Sequence, residues 1–189
     1  RQPVLADELP VDLAQLGRLL LSKNNISRLY SHQAEAFELI RQKQNILLAT
    51  PTASGKSLTY QLPVLEAIGE DPSTTAIMLF PFKALARDQV RNLSEMDGSL
   101  FTGSNRQLAA VYDGDTTQGD RKKIRKTPPN ILVTNPDMLH YSILPYHTKW
   151  FEFLKNVKFL VVDEVHVYKG VFGSQVLQVL RRLLRVLKH

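Results

Sequence analysis

Gly55-Lys56-Ser57 and Asp163-Glu164 are the residues whose types and spacing could do chemistry in this sequence. Gly55-Lys56-Ser57 closes the stretch Ala49-Thr50-Pro51-Thr52-Ala53-Ser54-Gly55-Lys56-Ser57. A glycine lets the backbone approach a phosphate closely, a lysine adds a mobile positive charge, and a serine hydroxyl can ligate Mg²⁺. That chemistry needs a strand, a tight turn and a helix start in this order, because N–H groups at a helix start point outward and the dipole makes them positive. The apolar run Asn45-Ile46-Leu47-Leu48 and the helical pattern from Lys56 through Leu65 predict that context. The general pattern G-x-x-x-x-G-K-[ST] is incomplete, since Thr50 stands at its first glycine. Taken alone, Gly-Lys-Ser also suits an ordinary surface turn.

The second half is Phe159-Leu160-Val161-Val162-Asp163-Glu164-Val165-His166. Four apolar residues ending in two acids read as a buried parallel strand with carboxylates at its C-terminal edge. Ligands of open α/β sheets bind at that edge, where the turn after Leu48 would also lie. Buried charge is costly without a partner, so the acids ask for a cation. Asp163 suits Mg²⁺, and Glu164 suits the water that attacks a γ-phosphate. The plain alternative is two acids capping the next helix. The two halves together indicate a nucleoside triphosphate.

Positioning these groups falls to alternating strands and helices. Thr75–Phe80, Leu108–Tyr112, Ile131–Thr134 and Phe159–Val162 read as further strands. Helices are predicted from Asp12 as N-cap, from about His32 to Gln42, from Lys83 to Met96, from Gln118 to Lys126, near Asp137–Leu144, and from Ser174 to Lys188. Pro63 is expected to kink or shorten the helix that Lys56 opens. Leu85, Val90 and Leu93 should face inward, Gly98 to Gly103 is a loop, and Tyr146 to Asn156 is mixed. The pattern implies right-handed crossovers in a three-layer α/β domain with a mostly parallel sheet.

The 189 residues suffice for one domain with a sizeable core. No run reaches the roughly 18 apolar residues of a membrane span, so no membrane partner is expected. Without cysteine there is neither a disulfide nor a thiolate metal site, which fits an intracellular protein. The net charge of +6 favours polyanions. Arg121-Lys122-Lys123-Ile124-Arg125-Lys126 is the densest basic cluster and no acid follows Glu164; the cluster suits a solvated helix face or a phosphate-contacting one. The chain opens at Arg1 rather than Met, so a piece of something longer is expected.

Four stretches carry a family resemblance: Tyr30-Ser31-His32-Gln33-Ala34-Glu35-Ala36, Ala49 to Ser57, Phe80-Pro81-Phe82-Lys83-Ala84-Leu85-Ala86-Arg87-Asp88-Gln89, and Val161 to His166. In this order they resemble the first RecA-like lobe of a superfamily 2 DExH-box helicase. Their wording is similar to the mitomycin-repair-type DNA helicases of bacteria, fungi and plants, near the RecQ group. The resemblance implies a lead-in over residues 1–25 and an ATP-binding lobe over 26–189, using ATP and Mg²⁺. It implies that Gln33 reads the adenine edge and that Tyr30 stacks on the base, although Tyr30 also suits a core. Thr50, Pro51, Thr52, Ala53, Ser54, Gly55, Lys56 and Ser57 would wrap the phosphates. Ser57 and Asp163 would hold Mg²⁺, Glu164 would be the catalytic base, and His166 would couple hydrolysis to the neighbouring motif.

The same resemblance assigns nucleic-acid contacts to Pro81, Lys83 and Arg87, to Gly114 and Asp115, and to Thr134 and Pro136. Each of those segments alone also suits a strand-to-helix turn. Ala53 departs from the glycine of many relatives. The family's Ser-Ala-Thr motif, its second RecA-like lobe with arginine fingers and any zinc-binding region would lie beyond His189. The expected protein is a DNA-unwinding motor of 3′-to-5′ polarity in DNA repair. It would be nuclear if eukaryotic and cytoplasmic if bacterial. An RNA helicase and a non-catalytic nucleic-acid-binding protein with a vestigial ATP site remain alternatives; a small-molecule kinase fits poorly, for want of a lid or acceptor site.

Overall fold

Thr75-Ala76-Ile77-Met78-Leu79 forms β1 (Thr75–Leu79), buried at every position, as a central parallel strand must be. The computed structural model describes residues 4–6, 13–50, 54–95 and 106–188. They divide into two units, residues 1–72 and 73–189. The boundary expected near residue 25 falls inside the first.

The first unit is helical: α1 (Gln15–Lys23), α2 (Ser31–Arg41) and α3 (Lys56–Glu70), with α1 and α2 both packed on α3. Leu16, Leu20 and Leu21 of α1, Phe37 of α2, and Leu62, Leu65 and Ile68 of α3 are buried. The expected N-cap Asp12 lies outside the described residues, and the N-cap position belongs to Ala14, which offers no side-chain cap. Glu66 serves instead: its Oε2 accepts the Ala14 N–H at 2.8 Å from 52 positions away. Burial pushes the Glu66 carboxyl above its ordinary range, and a Cβ on Gly17 would collide with its other oxygen.

Two expectations for this unit are corrected. Pro63 does not shorten α3, which continues to Glu70. The lost bond and ring clash cost about 3 kcal/mol, while each buried large aliphatic contributes about 1.5–3 kcal/mol. Burial of Leu62, Val64, Leu65 and Ile68 therefore outweighs the proline. The apolar run Asn45–Leu48 forms no strand, and residues 44–50 are irregular, with Leu47 84% exposed. A strand exists only against a ladder partner, and this run has none among the described residues.

The second unit holds a four-stranded parallel sheet in the order β2-β3-β1-β4, built from β1, β2 (Ala109–Val111), β3 (Ile131–Thr134) and β4 (Val157–Val162). Its helices are α4 (Lys83–Ser94), α5 (Gln118–Lys126), α6 (Pro136–Met138), α7 (Phe151–Leu154) and α8 (Gly170–Val186). A wide turn over Leu139–Ile143 and a tighter one over Leu144–Trp150 join α6 to α7. The core gathers Ile77, Leu79, Leu132, Phe153 and Leu183 around Tyr112 and Trp150, whose rings meet edge to face at 5.1 Å. On α4, Ala86 and Leu93 face inward, whereas Leu85 is 37% exposed, against expectation. Met96 and the loop Gly98 to Gly103 lie outside the described residues. Among the described residues no helix is long and apolar enough to cross a membrane.

Candidate functional site

Gly55 shows why its position must be glycine. It starts α3 at φ +72°, a left-handed conformation that costs other residues energy, and a Cβ there would lie 2.5 Å from Gln33 Nε2. Gln33 donates through that nitrogen to the Gly55 carbonyl at 3.0 Å and accepts the Tyr30 N–H at 2.9 Å. Its buried amide thus joins the start of α2 to the start of α3. Tyr30 stacks on His32 at 5.7 Å. Thr50 and Ser54 close the loop on itself, their hydroxyls 2.7 Å apart. Pro51, Thr52 and Ala53 lie outside the described residues.

Lys56 and Ser57, both half-buried, open α3. No side chain caps this helix among the described residues, and no acid lies in its first turn. Its leading N–H groups and dipole therefore favour an anion, and the positive charge of Lys56 adds to that preference. The donor set fits a phosphate chain: backbone N–H groups, one ammonium and one hydroxyl.

At the end of β4, the Asp163 N–H continues the ladder by donating to the Leu79 carbonyl at 3.0 Å. The Asp163 carboxylate accepts the Glu164 N–H at 2.7 Å. Glu164 stands at φ +50°, a left-handed conformation costing a non-glycine residue on the order of 1–3 kcal/mol. Strain of this kind persists where the chain needs a side chain aimed in a particular direction. Glu164 Oε2 meets His166 Nδ1 at 3.2 Å, and His166 is largely exposed rather than a core residue.

Sequence reasoning missed Tyr168 beside this acid pair. Burial first, then the negative charges of Asp163 and Asp137, push its hydroxyl up to about 12. Tyr168 follows Glu164 by four residues, and no spacing rule marks it.

The ends of β1 and β2 bring three of the expected nucleic-acid residues together. Asp115 takes Lys83 Nζ on one oxygen and Arg87 Nη2 on the other, each at 2.6 Å. Gly114 is exposed between them and the turn, 4.0 Å from Lys83 Nζ to an added Cβ. Pro81 is half-buried ahead of α4. Thr134 and Pro136 are buried instead, and the Thr134 hydroxyl donates to the Tyr112 carbonyl at 2.6 Å.

Two residues hold the turn, a role that sequence reading assigns to neither Asp113 nor Arg121, the latter read only as part of a basic cluster. Buried Asp113 accepts the N–H groups of Asp115 and Thr116 at 2.9 and 3.0 Å. Arg121 donates to the carbonyls of Asp113 and Thr116, both at 2.9 Å, and lies over the Tyr112 ring. Its neighbours Lys122, Lys123 and Lys126 face water. The repeated Asp-x-Asp-Thr wording, which lets one side chain cap the backbone two residues on, was the legible signal for Asp113. Between α4, β2 and α5 runs an open groove of about 700 Å³ with Arg87 and Asp115 on its wall.

Residues 30–188 match the model of the DEAD/DEAH box helicases. The chain is 46% identical over 178 residues to the ATP-dependent helicase YprA of Bacillus subtilis, covering 94% of this chain and 23% of that protein. It is likewise 46% identical over 157 residues to the ATP-dependent helicase HRQ1 of Saccharomyces cerevisiae, covering 83% and 14%. Among solved structures, the DUF1998 helicase MrfA bound to DNA and AMPPNP superposes with a TM-score of 0.90 at 44% identity, over all of this chain and 26% of that one. The DEAD-box helicase Mss116 shares the fold at 18% identity and a TM-score of 0.73. The chain spans about a quarter or less of these curated relatives.

Proposed function

The chain belongs to the DEAD/DEAH box helicase family, and from that premise we propose that it is the motor lobe of an ATP-dependent DNA helicase acting 3′ to 5′ in DNA repair, inside the cell. The observation that carries the ATP half is Gly55, left-handed and with Gln33 Nε2 2.5 Å from where a Cβ would stand, at the start of a helix that among the described residues no side chain caps. The relatives' names support a helicase that works on DNA: HRQ1 and the uncharacterized YprA are called ATP-dependent helicases, and MrfA was solved with DNA and AMPPNP. Polarity, repair and location rest on the motif resemblance.

In this reading the loop from Thr50 to Ser57 receives the phosphates on backbone N–H groups, and Lys56 neutralises their charge. Gln33 uses one N–H to hold Gly55 and one lone pair on the Tyr30 N–H, and in this reading its second N–H and lone pair read the adenine edge. The Ser57 hydroxyl and the Asp163 carboxylate would hold Mg²⁺, which withdraws charge from the phosphate oxygens when bound. Glu164 orients the attacking water and accepts its proton. His166, bonded to Glu164, couples that carboxylate to the rest of the motor. Lys83 and Arg87 meet backbone phosphates of nucleic acid, which fix register without reading sequence. A second RecA-like lobe of the same protein supplies arginine fingers worth roughly 10³–10⁵ in rate, so this lobe by itself turns ATP over poorly.

The test is Lys56→Ala in the full-length protein. ATP hydrolysis and duplex unwinding should both be lost while DNA is still bound. Hydrolysis that survives refutes the assignment. Matched DNA and RNA duplexes in the same assay decide the substrate, and faster RNA unwinding makes the protein an RNA helicase.

A further inference from the structure

Lys83 and Arg87 sit one turn apart on α4 and both meet the Asp115 carboxylate, while Arg87 Nη2 also lies 3.8 Å from Oδ2 of buried Asp113. Asp115 gives one oxygen to each, at 2.6 Å and 2.6 Å, much as a phosphodiester offers its two non-bridging oxygens. Lys83, and then Arg87, hold the Asp115 carboxyl below its ordinary range, so it is ionised at neutral pH. All three side chains are about half exposed. Water and solutes therefore reach the cluster from outside.

The backbone beneath Asp115 is fixed separately. Asp113 Oδ1 accepts the N–H groups of Asp115 and Thr116, and Arg121 holds the carbonyls of Asp113 and Thr116. None of those bonds uses the Asp115 side chain. The carboxylate can therefore rotate away from the two cations without disturbing the turn, and water solvates it once it has moved. A fixed backbone, a half-exposed acid and two cations are the parts a latch needs.

Resting on the reading of this face as a nucleic-acid contact, we propose that Asp115 is a built-in phosphate mimic: it occupies the Lys83–Arg87 site in the free protein and is displaced by a backbone phosphate. Asp115 then opposes binding rather than contributing to it, the reverse of the role its motif suggests. Free protein hides two of its cations, and binding must exchange two internal ion pairs for two phosphate contacts. Exposed pairs are individually weak, so the exchange is easy and readily tuned by salt.

The experiment measures binding of a fluorescent single-stranded oligo-dT to the full-length protein, without nucleotide, across a potassium chloride series. Asp115→Asn should tighten binding by about 3- to 10-fold at low salt, the range set by two exposed ion pairs. Two cations freed to release counterions should steepen the log K against log salt slope by up to about 1.4. In a Lys83→Ala/Arg87→Ala background the same change should give no gain. Asp88→Asn, which removes a charge bonded to Arg91 on the same helix, should give a distinctly smaller gain. Weaker or unchanged binding by Asp115→Asn overturns the latch, because the acid would then be aligning the cations. An equal gain from Asp88→Asn overturns it too, because only the general field would matter. If Lys83→Ala and Arg87→Ala leave affinity intact, the nucleic-acid reading of this face fails and takes the latch with it.

Discussion

Two strands of one sheet end in a pair of acids, and the protein treats the pairs in opposite ways. After β2, Asp113 is buried under backbone N–H donors and Asp115 is held by Lys83 and Arg87. After β4, Glu164 is bonded to a histidine and stands in a left-handed conformation. The first pair relaxes the local chain: its charges are neutralised and its turn is hydrogen-bonded. The second stores strain at Glu164, whose carboxylate meets the His166 ring at 3.2 Å. In the proposed reading the paired acid Asp115 competes for ligands, whereas Glu164, held at an energetic cost, is the acid assigned to chemistry.

The sharpest way to break this contrast is Glu164→Gln. It should lower the ATP hydrolysis rate of the full-length protein by about 10²–10⁴ and leave the thermal midpoint near that of wild type. A normal rate would make the β4 acids structural, like those of β2. Asp113→Ala should do the reverse. Two N–H groups lose their acceptor, so denaturant unfolding should show a loss of about 1–3 kcal/mol with the hydrolytic rate of the folded fraction little changed.

Glu66 extends the contrast to a third acid, buried with a backbone N–H as its hydrogen-bond partner. Its folded pKa is raised, by burial first. The neutral form is thus the one that folding favours, and its stabilisation is fully present below the ordinary value of 4.5 and is lost as pH rises through the raised one. Glu66→Gln removes that titration. Unfolding measured from pH 4 to 8 should show the variant gaining on wild type as pH rises, and a gap that stays constant with pH would contradict it.

Where local wording and long-range packing agree, the fold is legible in advance. Ile131–Thr134 and Gln118–Lys126 keep their expected bounds, because prolines, a threonine cap and a continuous apolar run all act within a few residues. Where the deciding partner is distant, sequence reading fails. Asn45–Leu48 has the composition of a strand but no ladder neighbour, and Pro63 is outweighed by packing against α1 and α2. In the site, glycine at position 55 and the acids at 163 and 164 are plain from their motifs. The Gln33–Gly55 bond, the Arg121 clamp and Tyr168 depend on contacts between elements, which spacing along one element does not encode.

Glu66 caps α1 from 52 positions away, so the family match and the folded unit begin at different places. The match starts at residue 30, whereas α1 lies upstream of it and covers a buried carboxyl. Trimming the polypeptide to the motif-bearing part would strip the lid from that acid and bare the leucine-lined flank of α3 to water. Recombinant fragments begun at the first recognisable motif should accordingly be stickier and less soluble than those begun some twenty residues earlier.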